Sequence, residues 1–431
     1  MTRRVIGLAL LVRLSSALAG ADLTVPEPLT LAEAHAAALR NHPRVQMAKL
    51  QGLIAGEVVK QNRAAYYPTA NGYFDAVEAG NANTRLLAGA INSPSVFDKV
   101  GEGIAVSELL TDFGQTTNRV ASARLAAKAE GEATAATDQQ ILLNVDVNYY
   151  NVLETRAVLQ VARLTVAARD FLVKQVSALA QNQLKSDLDV SFAQVASAQA
   201  QLLLQKSEND AAGAEASLAA ALGYRRPRDF QLADVPLPAA APPGVETLID
   251  RAVANRPDLL RLRYEREAAR RLARAEKDRN YPTVEAIGMA GNALSHDARL
   301  PDKYAAGGIA VDIPLFTGGA DLARQHAAEM RAQIADQTLR GQEDDVDRDV
   351  RLAWLNFNTA VQRLRTTEQL LQHTRQAFRL AQARYRLGGS SIVELSEAQE
   401  MATSAQIGAA NARYDELMQR ALLDYQVGDL R

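Results

Sequence analysis

Cysteine is missing altogether from the 431 residues, which excludes disulfides, thiolate metal centres and a lipid-modified cysteine at a mature N-terminus. Aromatics are scarce at 5%, so a bulky aromatic core is not expected. Runs such as Ala219-Ala220-Ala221 suit close packing of helix on helix instead. Net charge is almost nil, with 48 basic against 50 acidic side chains. That balance offers no basic stripe to neutralise phosphates, and nucleic acid is excluded as a partner. Beyond the N-terminus no segment approaches about 18 uninterrupted apolar residues, so no transmembrane helix is indicated and any membrane span must be built of strands. Proline is absent from Ser95 through Arg226 and again from Leu315 to Arg431, which leaves room for two very long helical stretches.

What the chain does have, it has twice. Asn41-His42-Pro43-Arg44-Val45 and Tyr67-Pro68-Thr69 return 214 residues later as Asn255-Arg256-Pro257-Asp258-Leu259 and Tyr281-Pro282-Thr283. Gly103-Ile104-Ala105-Val106 returns 205 residues later as Gly308-Ile309-Ala310-Val311, so the copies differ mainly by a loop shortened by about nine residues. A period this long marks duplication of a whole structural unit, not a solenoid repeat.

At the start, Thr2-Arg3-Arg4, the apolar run Val5 to Val12 and Ala17-Leu18-Ala19 follow the basic, apolar, small-residue order of a signal peptide, here residues 1–19. The first copy is then 20–226, a proline-rich linker spans 227–244, and the second copy is 245–431. Each copy reads helix, strand, loop, strand, long helix, tip, returning helix. Ile104/Val106 and Ile309/Val311/Ile313 alternate with small residues, the period of a strand, and strands are expected at about 69–80, 98–110, 283–291 and 303–314. Loops are expected at about Asn81 to Phe97 and Asn292 to Asp302. Leu142, Val145, Tyr149 and Val152, and again Val350, Trp354, Phe357, Val361 and Leu364, step by three and four. These seams lie in long helices at 118–184 and 320–387, each about 100 Å at 1.5 Å per residue. Returning helices follow at 189–222 and 392–427.

Four short strands cannot close a barrel, and an open sheet edge facing lipid would leave backbone groups unpaired at several kcal/mol each. Three chains would supply twelve strands, with the helices continuing as a tube. The fold class is therefore mainly α with a β-barrel contribution, internally duplicated and trimeric. The reading from another class is a soluble periplasmic coiled-coil scaffold.

Leu29-Thr30-Leu31-Ala32-Glu33-Ala34, Asn41-His42-Pro43, Leu110-Thr111-Asp112-Phe113-Gly114, Asn255-Arg256-Pro257-Asp258-Leu259, Pro314-Leu315-Phe316-Thr317-Gly318-Gly319 and Tyr385-Arg386-Leu387-Gly388, in this order, resemble the TolC-type outer-membrane efflux proteins of the non-lipidated branch. The resemblance implies a homotrimeric channel-tunnel in outer-membrane lipid, with a large periplasmic part. It further implies docking to a periplasmic adaptor and an inner-membrane pump of the RND or ABC type. A type I protein secretion duct is the alternative use of the same architecture.

The tips are then where the tube closes. Glu394 and Glu397 lie three apart on one helical face, where the resemblance places a pair of aspartates ringing the periplasmic entrance. Asp189, with Asp187 beside it, takes the matching position in the first copy. The family's latch pairs such an aspartate with a tyrosine and an arginine. Tyr385 matches the tyrosine, but Ser390 stands where the arginine would be, which leaves a Tyr385–Asp189 hydrogen bond and no salt bridge. Lys185, Ser186, Gly388, Gly389 and Ser390 form the turns that an adaptor would meet.

The five histidines, His35, His42, His296, His326 and His373, form no i, i+4 ligand pair. The run Glu343-Asp344-Asp345 with Asp347 and Asp349 lacks the spacing of a calcium loop, and no Gly-x-Ser-x-Gly orders a nucleophile. Neither metal nor cofactor nor enzymatic activity is expected. Tyr66, Tyr67, Tyr73 and Phe74, with Tyr281, Tyr304 and Phe316, flank the strands. An interfacial girdle and helix-to-barrel packing account for them equally.

Overall fold

A computed structural model describes residues 28–77, 99–226, 228, 230–237, 243–295 and 302–430. The signal peptide at 1–19, the loop at 81–97, His296 and parts of the linker lie outside the described residues.

The first copy folds as α1 (Leu31–Asn41), α2 (Pro43–Ala64), β1 (Thr69–Val77), β2 (Lys99–Thr111), α3 (Gln115–Gln181) and α4 (Asp187–Ala221). The second repeats the order as α5 (Val245–Asn255), α6 (Pro257–Asp278), β3 (Thr283–Ser295), β4 (Lys303–Asp312), α7 (Ala320–Arg386) and α8 (Ile392–Val427). Paired helices match in length: 11, 22, 67 and 35 residues against 11, 22, 67 and 36. The duplication read from a few short segments thus extends to every described helix and strand.

The repeated prolines explain the first joint. Pro43 and Pro257 each occupy the first turn of a helix, where the missing N–H costs nothing and the fixed φ is already helical. The preceding residue is pushed to extended backbone: His42 has ψ 126° and Arg256 ψ 125°. α1 opens on a capping box in which Thr30 and Glu33 satisfy each other's backbone donors.

The long helices begin three residues earlier than expected in the first copy and at Ala320 in the second. Each follows a left-handed pair, Phe113 (φ 54°) with Gly114 (φ 114°) and Gly318 (φ 64°) with Gly319 (φ 84°). Asp112 offsets the strain at Phe113 by accepting from the N–H groups of Gly114 at 3.2 Å and Thr116 at 2.6 Å. At the far end α3 stops at Gln181, not Leu184, because Gln183 turns left-handed with φ 57°. α4 starts two residues early at Asp187, since Ser186 and Asp189 form a capping box.

The four strands form one antiparallel sheet in the order β1-β2-β3-β4. β3 continues to Ser295 instead of ending near 291, because Asn292 pairs with Lys303 and the Ala293 N–H reaches the Asp302 carbonyl at 2.6 Å.

The copies are interleaved. α3 packs on α1, α2, α4, α6 and α8, and α6 lies between α3 and α7. The Leu142, Val145, Tyr149, Val152 seam is fully buried against α1 and α8 residues such as Ala38 and Leu417. In the second copy Val350 and Phe357 are buried, with Trp354 and Val361 packed beside them. Buried alanines on α4, among them Ala193, Ala200 and Ala214, let helix axes approach closely, as the composition suggested. Among the described residues no helix is long and apolar enough to cross a membrane.

Candidate functional site

The ends of the two helical hairpins meet. Leu172 and Val176 of α3, Ala193 of α4, Tyr385 of α7, and Ile392 and Leu395 of α8 form one buried cluster, with Phe378 packed against it. An apolar plug therefore joins the turn at Lys185-Ser186 to the turn at Gly388-Gly389.

Tyr385 is 6% exposed and its hydroxyl has no hydrogen-bond partner among the described residues. Burial, followed by the negative charge of Asp189, raises the pKa of that hydroxyl. The Tyr385–Asp189 hydrogen bond that the resemblance leaves open is not formed. The Asp189 carboxylate is spent within its own turn, accepting from the Ser186 N–H at 3.0 Å and the Ser186 hydroxyl at 2.8 Å. These donors hold its pKa below the usual aspartate range. Lys185 takes the place across from Tyr385, with Nζ 4.5 Å from the ring centroid.

The Ser390 hydroxyl is buried and finds no partner among the described residues. The arginine of this tip comes instead from the residue before Tyr385. The Arg384 guanidinium donates to Glu394 Oε1 at 2.8 Å and to the Gly389 carbonyl at 3.1 Å, tying α7 across the turn to α8. Gly388 (φ 74°) supplies the left-handed residue that ends α7, and Gly389 N–H reaches the Arg384 carbonyl at 2.8 Å. Glu394 is consequently turned toward α7. Glu397, one turn on, stays exposed and makes no ion pair among the described residues. With Glu400, Thr367, Leu370 and Met401 it borders a groove of about 670 Å³ between α7 and α8. Asp187 is exposed at the first turn of α4, where its charge faces the positive end of the helix dipole.

Two arginines escaped the sequence reading. Arg384 carried a signal, since it sits beside the Tyr-x-x-Gly turn. Arg169, on α3, did not. It is 6% exposed and donates to the Ser396 hydroxyl at 3.3 Å and to the Ser396 carbonyl at 3.2 Å on α8. Burial pulls its ionisation down and the charge of Glu400 opposes this. The two hairpins are thus cross-linked by a buried cation above the apolar plug.

The tip thus combines apposed helix ends, a buried apolar cluster and the exposed carboxylates of Asp187 and Glu397.

The family model described as outer membrane efflux protein matches residues 35–224 and 248–428, one match for each copy. Outer membrane protein TolC of Vibrio cholerae is 25% identical over 413 residues, covering 93% of this chain and 91% of the relative. The crystal structure of CusC, described in terms of folding and transmembrane channel formation, superposes with a TM-score of 0.79 at 20% identity, covering 92% of each chain. That of the outer membrane protein VceC from Vibrio cholerae gives 0.76 at 20% identity, covering 92% of this chain and 96% of the other. The chain therefore belongs to the outer membrane efflux protein family and is a protein of the Gram-negative outer membrane.

Proposed function

We propose that three copies of this chain close a twelve-stranded barrel in the outer membrane and continue into the periplasm as a helical tube. The tube is the passive duct of a tripartite efflux system. An inner-membrane pump of the RND or ABC type supplies the energy, and a periplasmic adaptor grips the helix tips at Lys185-Ser186 and Gly388-Gly389-Ser390.

The observation that carries this reading is that one chain is open on both flanks at every level. Among the described residues β1 and β4 each lack a second strand neighbour. Beneath β1, α2 exposes Met47, Leu50, Ile54 and Val58; beneath β4, α7 exposes Leu322, Met330 and Ile334. A neighbouring copy joins β4 to β1 and covers both apolar flanks, each buried side chain contributing about 1.5–3 kcal/mol. The strands are 9, 13, 13 and 10 residues long. That suits tilted strands crossing hydrocarbon, where about 9–11 residues suffice.

Unheated outer-membrane extracts run on a gel test the assembly. The expected result is a trimer that collapses to monomer on boiling and is lost when Leu50→Asp and Ile54→Asp are combined. A chain that is soluble and monomeric without detergent overturns the proposal.

A further inference from the structure

One row of the sheet has an unusual composition. Tyr73 of β1 stands opposite Gly103 of β2, Gly103 opposite Gly291 of β3, and Gly291 opposite Tyr304 of β4. The two tyrosine hydroxyls hydrogen-bond to each other, and the Tyr304 hydroxyl lies 3.3 Å from the Glu102 carbonyl. Strands lie about 4.8 Å apart, so the two edge strands are separated by roughly 14 Å along this row. Two tyrosines meet across that span only when their rings lie along the sheet instead of standing out from it. The glycines make the bed: a Cβ on Gly103 would come within 2.5 Å of the Tyr304 hydroxyl and 2.7 Å of Tyr73 Cζ, and a Cβ on Gly291 would overlap the Tyr304 ring.

The face that carries this pair is the inner one. Along β2 the residues on this face, Gly101, Gly103, Ala105, Ser107 and Leu109, are each less exposed than their neighbours on the other face, as on the concave side of a curved sheet. The same face bears Thr69, Asn71, Asp75 and Ser107 beside Ile287 and Met289, while the other bears Glu102 and Glu108 but most of the exposed apolar side chains, Phe74, Ile104, Val106, Ile309 and Val311. Polar inside and apolar outside is the alternation of a membrane barrel.

We propose that the Tyr73–Tyr304 clasp sets the bore of the barrel near its outer mouth. It keeps six aromatic rings per trimer flat against the wall and so fixes the size of solute that passes. The inference rests on the trimeric barrel proposed above. A tyrosine standing out from the wall would narrow the lumen; the paired hydroxyls and the missing Cβ atoms hold it down. Gly103→Ala lifts both rings, and removing the rings widens the passage.

Because the chain has no cysteine, Asn71→Cys, one row deeper on the same face, provides a single thiol behind the clasp. Intact cells are treated from outside with a small charged methanethiosulfonate and with a bulkier sulfonated fluorescein maleimide. The expected result is that Tyr73→Ala with Tyr304→Ala speeds the bulky reagent several-fold, and Gly103→Ala slows it about tenfold, while the small reagent reacts equally in all. If Gly103→Ala fails to assemble, the tyrosine pair alone decides. Bulky-reagent rates unchanged by loss of both tyrosines overturn the inference and leave the barrel standing. A thiol at 71 that reacts with neither reagent overturns the barrel itself.

Discussion

Lys185 of the first hairpin holds its ammonium 4.5 Å from the centre of the Tyr385 ring of the second. At this tip the ring, not the hydroxyl, is the working part, since the hydroxyl is buried without a partner among the described residues. Tyr385→Phe is therefore expected to leave the closed tip intact, and Lys185→Met to loosen it. A partly exposed cation–π contact is worth about 0.5–1 kcal/mol, so three copies give about 1.5–3 kcal/mol, a ten- to hundredfold shift toward the open state. Single-channel recording in planar bilayers checks this. A rise in conductance for Tyr385→Phe but not for Lys185→Met would contradict it.

Arg384 is the second fastening. Its pairing with Glu394 is exposed and contributes no more than about 1 kcal/mol. However, the same guanidinium also holds the Gly389 carbonyl, so its loss frees the turn itself. Arg384→Ala is expected to raise conductance, with Arg384→Lys restoring little, because one ammonium cannot serve both acceptors in fixed geometry. Raising the salt concentration should reproduce part of the Arg384→Ala effect in the unmodified protein.

Glu397 is left unpaired while Glu394 is neutralised within its own chain. If carboxylates ring the entrance, Glu397 carries the cation preference alone. Reversal potentials under a potassium chloride gradient should shift toward zero for Glu397→Gln and little for Glu394→Gln. An equal shift for both would return the role to the pair.

How far the sequence reached follows from what each signal depends on. The duplication, the four strands and the long helices rest on local rules: proline at a first helical turn, alternation along a strand, heptad-like steps. Those rules act within a few residues, and Pro43, Ile104 and Val350 display them without help from the rest of the chain. The tip chemistry depends on partners far apart in sequence. Nothing near Arg169 announces Ser396, 227 residues away, nor does Lys185 announce Tyr385. Asp189 illustrates the opposite failure: a long-range hydrogen bond was open to it, but a local capping box with Ser186 won, because it satisfies two donors at a helix start that would otherwise go unmet. The Tyr73–Tyr304 pair needed the strand register, which the sequence did not supply.

Tyr149 fastens the linker between the copies. Its hydroxyl is shared between the carbonyls of Leu29 at 2.8 Å and Ala233 at 2.7 Å, and burial pushes its pKa up to about 12. Leu29 keeps a second partner in the Ala233 N–H at 3.1 Å, so Tyr149→Phe leaves mainly the Ala233 carbonyl unmet, at a cost of about 1–3 kcal/mol. The expected outcome is a lower dissociation temperature and faster tryptic cleavage after Arg225, since the Arg226–Pro227 bond resists trypsin. Unchanged cleavage would mean that the linker is held by other contacts.

Asp424 of α8 gives the fold a pH dependence of definite sign. Burial, chiefly, raises its pKa above the ordinary 3.8; Asp429 and Asp146 push the same way, and Arg420 and Arg251 oppose them. Below the unfolded value the carboxyl is protonated in both states and costs nothing. As pH rises through 3.8 and on through the raised folded value, the unfolded chain ionises first and stability is lost; above the folded value the loss is constant. Glu416, on the same helix and also raised by burial, acts in the same direction. Asp424→Asn is therefore expected to raise the unfolding temperature at neutral pH, and to flatten its fall between about pH 4 and neutrality. Asp189 works against this below that window, because its lowered pKa makes the tip's capping box weaken as acid protonates it. Thermal unfolding followed by circular dichroism from pH 3 to 8, for the unmodified chain and Asp424→Asn, separates the two. Equal pH profiles for both proteins would mean that the charge on Asp424 is relieved by its arginine neighbours, and that burial alone does not set its cost.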